Sequence, residues 1–197
     1  MTMQDPNIEA PASWGEPRSR TVTWYDPTIG ACGGSAMAGL DYLQAMNDGV
    51  LPPPPISGLV DMALVSAEPG RVEFTCEPGE SAYNAIGSVH GGLVCTLLDS
   101  VAGCALHSTL PQGCGYTSIE IKINYLKPVR STSGRLTAVG TLVKGGSRIA
   151  FTEGVVTDAS AVVATATSTL LLFDLPSSGS GSSPGAQRLS VQLKESA

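Results

Sequence analysis

The sequence predicts an α+β domain in which an antiparallel β-sheet wraps one long helix. Three features carry this expectation. Gly91 to Ser108 reads as a helix that is apolar nearly all round, through Leu93, Val94, Leu97, Leu98, Val101, Ala102, Ala105 and Leu106, and a helix without a polar face has to be buried. From Tyr116 onward the apolar residues recur at every second position, the period of a strand. Lys144-Gly145-Gly146-Ser147 and Asp158-Ala159-Ser160 then separate the later strands, and turns this short join antiparallel neighbours. No other layer is long enough to cover the helix, so the sheet must do it.

The chain has 197 residues, 42% of them hydrophobic and only 14% charged, against about a quarter in an average domain. A surface so poor in charge suggests that another subunit covers part of it. The net charge of −6 argues against nucleic acid, because phosphate binding needs a surplus of Lys and Arg. No run of apolar residues is long enough for a membrane span, and no membrane partner is expected. Met1-Thr2-Met3-Gln4-Asp5 has neither the basic nor the apolar stretch of a secretory leader, so a cytoplasmic location is expected. Cys32, Cys76, Cys95, Cys104 and Cys114 are odd in number and contain no CxxC pair. They read as reduced thiols, and with only His90 and His107 beside them no metal site is expected.

Residues 1–36, rich in Pro, Gly, Ser and Thr, read as a loosely ordered N-terminal arm that Trp14 and Trp24 could pin to the body. The domain proper is expected over 37–175. Leu40, Leu43 and Met46 have helical spacing, which predicts a short helix over 38–47; Gly49 stops it and Pro52 to Pro55 prevent its continuation. Leu59 to Ala67 and Arg71 to Glu77 read as a hairpin turning at Pro69-Gly70. The long helix follows. Strands are expected at 116–127, 136–143, 148–157 and 162–173, forming a four-strand meander. In the first, Thr117, Ile119, Ile121, Ile123 and Tyr125 would share one face and Ser118, Glu120, Lys122 and Asn124 the other. Residues 176–185 are all Pro, Ser or Gly, so 176–197 reads as a flexible tail.

Asp99 is out of place among Leu97, Leu98, Val101 and Ala102. A carboxylate there costs several kcal/mol unless it is paired or hydrogen-bonded, to Ser100 for example. The functional alternative is a general base or a nucleophile held away from bulk water. His90-Gly91-Gly92 opens the same helix. Its first N–H groups have no intrahelical partner and carry the positive end of the helix dipole, and the two glycines let a substrate atom approach. Such an end can hold an anion or a developing oxyanion, although His90 could equally be a plain cap. Asn84 lies six residues earlier in a loop, where its amide could orient a water or a substrate carbonyl.

Asn84, His90-Gly91-Gly92 and Asp99, followed by the strand Glu120-Ile121-Lys122-Ile123-Asn124-Tyr125-Leu126-Lys127-Pro128 and by Gly145-Gly146-Ser147-Arg148-Ile149-Ala150, resemble the hotdog-fold acyl-CoA thioesterases of the phenylacetate-degradation (PaaI-like) type. The resemblance covers about residues 55–173. It implies a hotdog fold and hydrolysis of acyl-CoA by dimers or dimers of dimers, with no cofactor beyond the CoA of the substrate. It further implies Asp99 as base or nucleophile, Gly91 as oxyanion donor, His90 shaping that turn, and Asn84 positioning water or substrate. Ser118 would help orient the water, with Thr117 as the adjacent candidate. Lys127 and Arg148 become candidates for the CoA phosphates. Gly92, Thr117 and the turn Gly145-Gly146-Ser147 become candidates for contact with the CoA arm. Leu93, Leu97, Val60 and Met62 could line the acyl pocket.

Two other functions are compatible with the pattern. A hotdog hydratase or dehydratase would need a carboxylate and a His acting together, but the order His90 then Asp99 differs from that pattern. A non-catalytic acyl-CoA-binding protein would bind without releasing thiol. Within the thioesterase reading, Gly91 and Asp99 are eight residues apart, about 12 Å along one helix. One thioester cannot react with both in a single chain. The spacing therefore predicts a homodimer with two shared sites, Gly91 of one helix facing Asp99 of the other.

Overall fold

The computed structural model describes residues 11–175. The first part of the expected arm and the expected tail at 176–197 lie outside the described residues.

Within 11–36 the chain is more regular than expected. Pro27–Ala36 forms helix α1, whose first turn is set by Pro27 at the N-terminus and by Asp26, whose side chain accepts the Thr28 N–H at 2.9 Å; this is ordinary N-capping chemistry. Trp14 and Trp24 do not pin this segment, being 67% and 63% exposed. Helix α2, Gly39–Asn47, matches the expected short helix. Its Gly39 lies against the end of the long helix so closely that an added Cβ would come within 1.7 Å of the His107 carbonyl oxygen. The prolines after α2 do not lead directly into a strand. Pro55 starts a third short helix, α3, Pro55–Val60, which ends at Asp61 in the left-handed region with φ 53°. Strand β1 therefore begins at Met62 and not at Leu59.

Strands β1 (Met62–Glu68) and β2 (Arg71–Cys76) form the expected hairpin. Helix α4, Gly91–His107, follows, then β3 (Cys114–Tyr125), β4 (Leu136–Lys144), β5 (Ile149–Thr157) and β6 (Val162–Asp174). All six strands make one antiparallel sheet in the order β1-β2-β4-β5-β6-β3. The expected four-strand meander is thus corrected: β4, β5 and β6 form one, but β3 lies on the far edge beside β6. The connection from β3 to β4 is a long excursion, not a tight turn. It passes the start of α4, where Val129 is buried and its carbonyl accepts the Val89 N–H at 2.8 Å.

The sheet curls around α4, and two paired glycines make room for it. Gly140 of β4 and Gly154 of β5 are opposite each other in register. A Cβ on Gly140 would stand 2.1 Å from the Val101 carbonyl oxygen, and one on Gly154 would stand 3.0 Å from a Leu98 methyl. Leu97, Leu98, Val101, Ala102 and Ala105 are completely buried in the core that results. Their burial supplies about 1.5–3 kcal/mol for each large side chain.

One face of α4 nevertheless stays open. Gly92 and Asp99 are exposed on it, and Thr96 and Ser100 are only half-buried. The expectation that Asp99 is enclosed by apolar side chains is therefore corrected. Leu97 and Leu98 turn toward the sheet, and the helical period leaves Asp99 on the opposite side.

Candidate active site

Asp99 is held by one neighbour across the groove between α4 and β3. The Ser118 hydroxyl donates to Asp99 Oδ1 at 2.8 Å. Ser100 does not bond Asp99; its hydroxyl donates to the Thr96 carbonyl at 2.7 Å. Ser118 reaches the helix because β3 carries a bulge, the register against β6 shifting between Ser118 and Glu120. A bulge adds one residue to one strand and changes the phase of alternation. Ser118 therefore shares the inner side of the sheet with Ile121 and Ile123, which pack on the core, while Ile119 is 54% exposed. The strict alternation expected from the sequence fails at this residue. Thr117, beside Ser118, is exposed and pairs with Leu171.

Asp99 and Ser118 stand at the wall of a cavity of about 460 Å³. Its other walls include Met62, Leu64 and Phe74 of the first hairpin, and Met46, Pro54 and Ile56 from the segment before it. Cys104 and Tyr116 line its far side. Burial, reinforced by the Asp99 charge, pushes the Cys104 thiol up to about 12, and burial likewise lifts Tyr116 well above the usual phenol range. Both stay neutral near pH 7, so Cys104 is a wall and not a nucleophile. Of the four residues expected to line an acyl pocket, only Met62 lines this cavity. Leu97 is fully buried, while Leu93 and Val60 face a different hollow with His90 and Gly92.

The other end of α4 is built separately. His90 is its N-cap: its Nδ1 accepts the Gly92 N–H at 2.8 Å, and its own backbone N–H is bound to the Ala82 carbonyl. A Cβ on Gly92 would stand 2.8 Å from that ring nitrogen, so the cap requires glycine there. With Gly92 engaged and the Leu93 N–H on the His90 carbonyl, Gly91 is left with a first-turn N–H that has no acceptor among the described residues. Tyr125, which the sequence suggested only as a strand-face residue, donates its hydroxyl to the Gly91 carbonyl at 3.0 Å.

Asn84 organises the loop that leads into this turn. Its Oδ1 accepts the N–H groups of Ile86 and Ser88, both at 3.1 Å, and its Nδ2 donates to the Ser88 hydroxyl at 3.0 Å. Asn84, Gly91, Tyr125 and Lys127 line a second cavity of about 300 Å³. The structure thus brings Asn84 together with Gly91, and Ser118 together with Asp99, but keeps the two pairs in different cavities of one chain.

The basic candidates are likewise apart. Lys127, near the start of α4, gives its ammonium to Asp158 at 2.6 Å and to Ser160 at 2.7 Å. That ion pair holds the Asp158 carboxyl far below the usual range. Arg148 and the exposed turn Gly145-Gly146-Ser147 lie toward the other end of the helix, where the Arg148 carbonyl accepts the N–H of Leu172, which packs beside Leu106 and Leu110. Gly146 passes close to the chain of β5, and a Cβ there would stand 2.6 Å from the Ile149 carbonyl oxygen. His107, the last residue of α4, is packed between Tyr42 and Tyr116, and burial pushes its pKa down.

The comparisons with known proteins agree with this architecture. A family model described as the thioesterase superfamily matches residues 86–165. Human acyl-coenzyme A thioesterase 13 is 35% identical over 92 residues, which is 47% of this chain and 64% of the human protein. The chain therefore spans less than two thirds of that relative. A Streptococcus mutans protein solved bound to acetyl CoA is 31% identical, with TM-score 0.53 over 58% of this chain and 90% of its own. The Escherichia coli PaaI protein from the phenylacetic acid degradation operon shares the fold at TM-score 0.60 and 18% identity, over 69% of this chain and 94% of its own. Sheet order and wrapped helix give the chain the hotdog fold that it shares with the PaaI protein, and its residues 86–165 are similar to the thioesterase superfamily.

Proposed function

We propose that the protein hydrolyses acyl-CoA thioesters to a free acid and CoA, in a dimer with two shared sites. The observation that carries this reading is the state of Asp99: an exposed carboxylate, fixed at Oδ1 by Ser118, on the wall of an apolar cavity. Oδ2 is left to take a proton from water. The water oxygen then bonds to the thioester carbon and the carbonyl π electrons move onto oxygen. Their return expels the CoA sulfur, which takes up a proton. The oxyanion needs a donor, and Gly91 supplies an N–H at a helix N-terminus. It lies about 12 Å from Asp99 along the helix, and so it must come from a second copy whose α4 runs antiparallel.

The acyl-CoA relative and the acetyl-CoA-bound neighbour support CoA esters as the substrate class. Gly91 and Asn84 would then flank the thioester from the second copy, and Arg148 with the Gly145-Gly146-Ser147 turn would meet the CoA arm. Lys127, already paired with Asp158, would contribute less to the CoA phosphates. The test is release of free thiol from a panel of short, long and aryl acyl-CoAs, with enoyl-CoA hydration followed in parallel. Thiol release that Asp99→Asn abolishes is the expected result. Hydration without thiol release, or tight binding with neither reaction, would refute it.

A further inference from the structure

The cavity beside Asp99 has a neighbour that shares part of its lining. A second cavity of about 440 Å³ adjoins it, and Met46, Pro54, Cys104 and Tyr116 line both. The second one follows α4 to His107 and ends beneath Gly30 and Gly34 of α1. Among the described residues, no Asp, Glu, Lys or Arg lines it. Tyr42, Tyr116 and His107 stay neutral there near pH 7, since burial lifts Tyr42 and Tyr116 and lowers His107. Among the described residues, Asp99 in the first cavity is the only carboxylate that lines either one. The end of α2 and residues 53–57 roof the first cavity and α1 with α2 roofs the second, all outside the segment 86–165 that matches the thioesterase superfamily.

We infer that the two cavities form one acyl channel, roofed by residues 27–57, that selects straight acyl chains of about ten carbons or more. This rests on the proposed chemistry at Asp99. The length follows from the helix. Asp99 to His107 is eight residues, about 12 Å. A fully extended chain covers about 3.3–3.6 Å in three bonds, so about ten bonds cross that distance. A shorter acyl group stays in the first cavity, and a longer one passes the neck at Met46 and Tyr116 and reaches α1. Gly30 and Gly34 keep the far end open: a Cβ on Gly34 would meet the Tyr42 ring at 3.6 Å, an ordinary contact, so larger side chains there extend into the cavity.

The test compares butanoyl-, octanoyl-, dodecanoyl- and hexadecanoyl-CoA on the full chain. Each buried methylene can add up to about fourfold to kcat/KM, so dodecanoyl-CoA should exceed butanoyl-CoA by about a hundredfold or more. Met46→Trp, at the neck, should reduce the dodecanoyl-to-butanoyl ratio at least about tenfold. Gly34→Leu, at the far end, should reduce the hexadecanoyl-to-octanoyl ratio by a similar factor. Gly34→Ala should leave that ratio within about twofold of the parent. A flat or falling wild-type profile, or variants that lower every ester in proportion, would overturn the channel. If no ester is hydrolysed, the thioesterase reading fails on its own. Calorimetric binding of the same esters to the wild-type chain then decides the channel: affinity that rises with chain length supports it, and affinity independent of chain length overturns it. The wild-type profiles keep the test decisive if a variant does not fold.

Discussion

The Ser118 hydroxyl donates to Asp99 Oδ1 across 2.8 Å, from a strand whose bulge brings that one serine to the helix. The contact fixes which carboxylate oxygen is free and where it faces. Asp99→Asn keeps the shape but removes the charge and the basicity, so kcat should fall by about a hundredfold to ten-thousandfold. Because Asp99 is exposed, no buried charge is relieved, and the change in stability should stay within about 0.5 kcal/mol. Thiol-release kinetics and a thermal melt on the same preparation check both. A variant that keeps its activity would remove Asp99 from the chemistry.

Ser118→Ala removes only the donor. A hydrogen bond to a charged group contributes about 1.5–3 kcal/mol, and here it positions a carboxylate. The expected result is a fall in kcat of about tenfold to a hundredfold with KM nearly unchanged, and Ser118→Thr should restore part of it. Equal loss in kcat/KM and in folded protein would mean that the serine only supports β3.

Most of the fold is legible in the residue pattern, because burial on α4 and alternation on β4, β5 and β6 leave one way to cover the apolar helix. What is not legible arises from contacts that no local period records. The place of β3 beside β6 depends on the long excursion past Val129. The facing of Ser118 depends on one extra residue in one strand. Helix α1 depends on a single Asp26–Pro27 start in a stretch otherwise rich in Gly and Ser. Asp99, His90 and Gly91 stand out as residue types in an unlikely place, and so they can be found from sequence. Tyr125 and the roof residue Met46 cannot, since an aromatic in a strand and a methionine in a helix are ordinary core patterns.

The attack route is open to a direct measurement. With Oδ1 held by Ser118, the proposed mechanism has Asp99 Oδ2 take a proton from water. A single turnover in isotopically labelled water should therefore place the label in the released acid and none in the Asp99 peptide. Label in that peptide after one turnover would establish a mixed anhydride and make Asp99 the nucleophile.

His107 makes stability depend on pH. Burial between Tyr42 and Tyr116 lowers its pKa in the folded state, while the unfolded chain titrates near the ordinary value of about 6.5. Between those two values the unfolded state holds more protons, so stability increases with pH there and is lost as pH falls below about 6.5. The melting temperature should drop from pH 7 to pH 5.5, and His107→Phe should flatten that slope. An unchanged slope in the variant would assign the acid sensitivity to other groups.

The proposed shared site makes the strongest prediction. Gly91→Val places its side chain where a Cβ already comes within 3.2 Å of the Tyr125 ring. The ring is 54% exposed and can swing outward, so the fold should survive while the approach to the Gly91 N–H is blocked. Loss of an oxyanion donor costs about a hundredfold or more, which makes this chain and the Asp99→Asn chain both nearly inactive alone. If Gly91 of one copy serves Asp99 of the other, a mixed dimer has one doubly damaged site and one intact site. Random reassembly makes about half of the dimers mixed, so about a quarter of wild-type activity should return when the two inactive chains are unfolded and refolded together. Native mass spectrometry counts the mixed dimers in the same sample. An inactive mixture in which they are abundant would place each site within a single chain, and the 12 Å between Gly91 and Asp99 would then exclude Gly91 as the oxyanion donor.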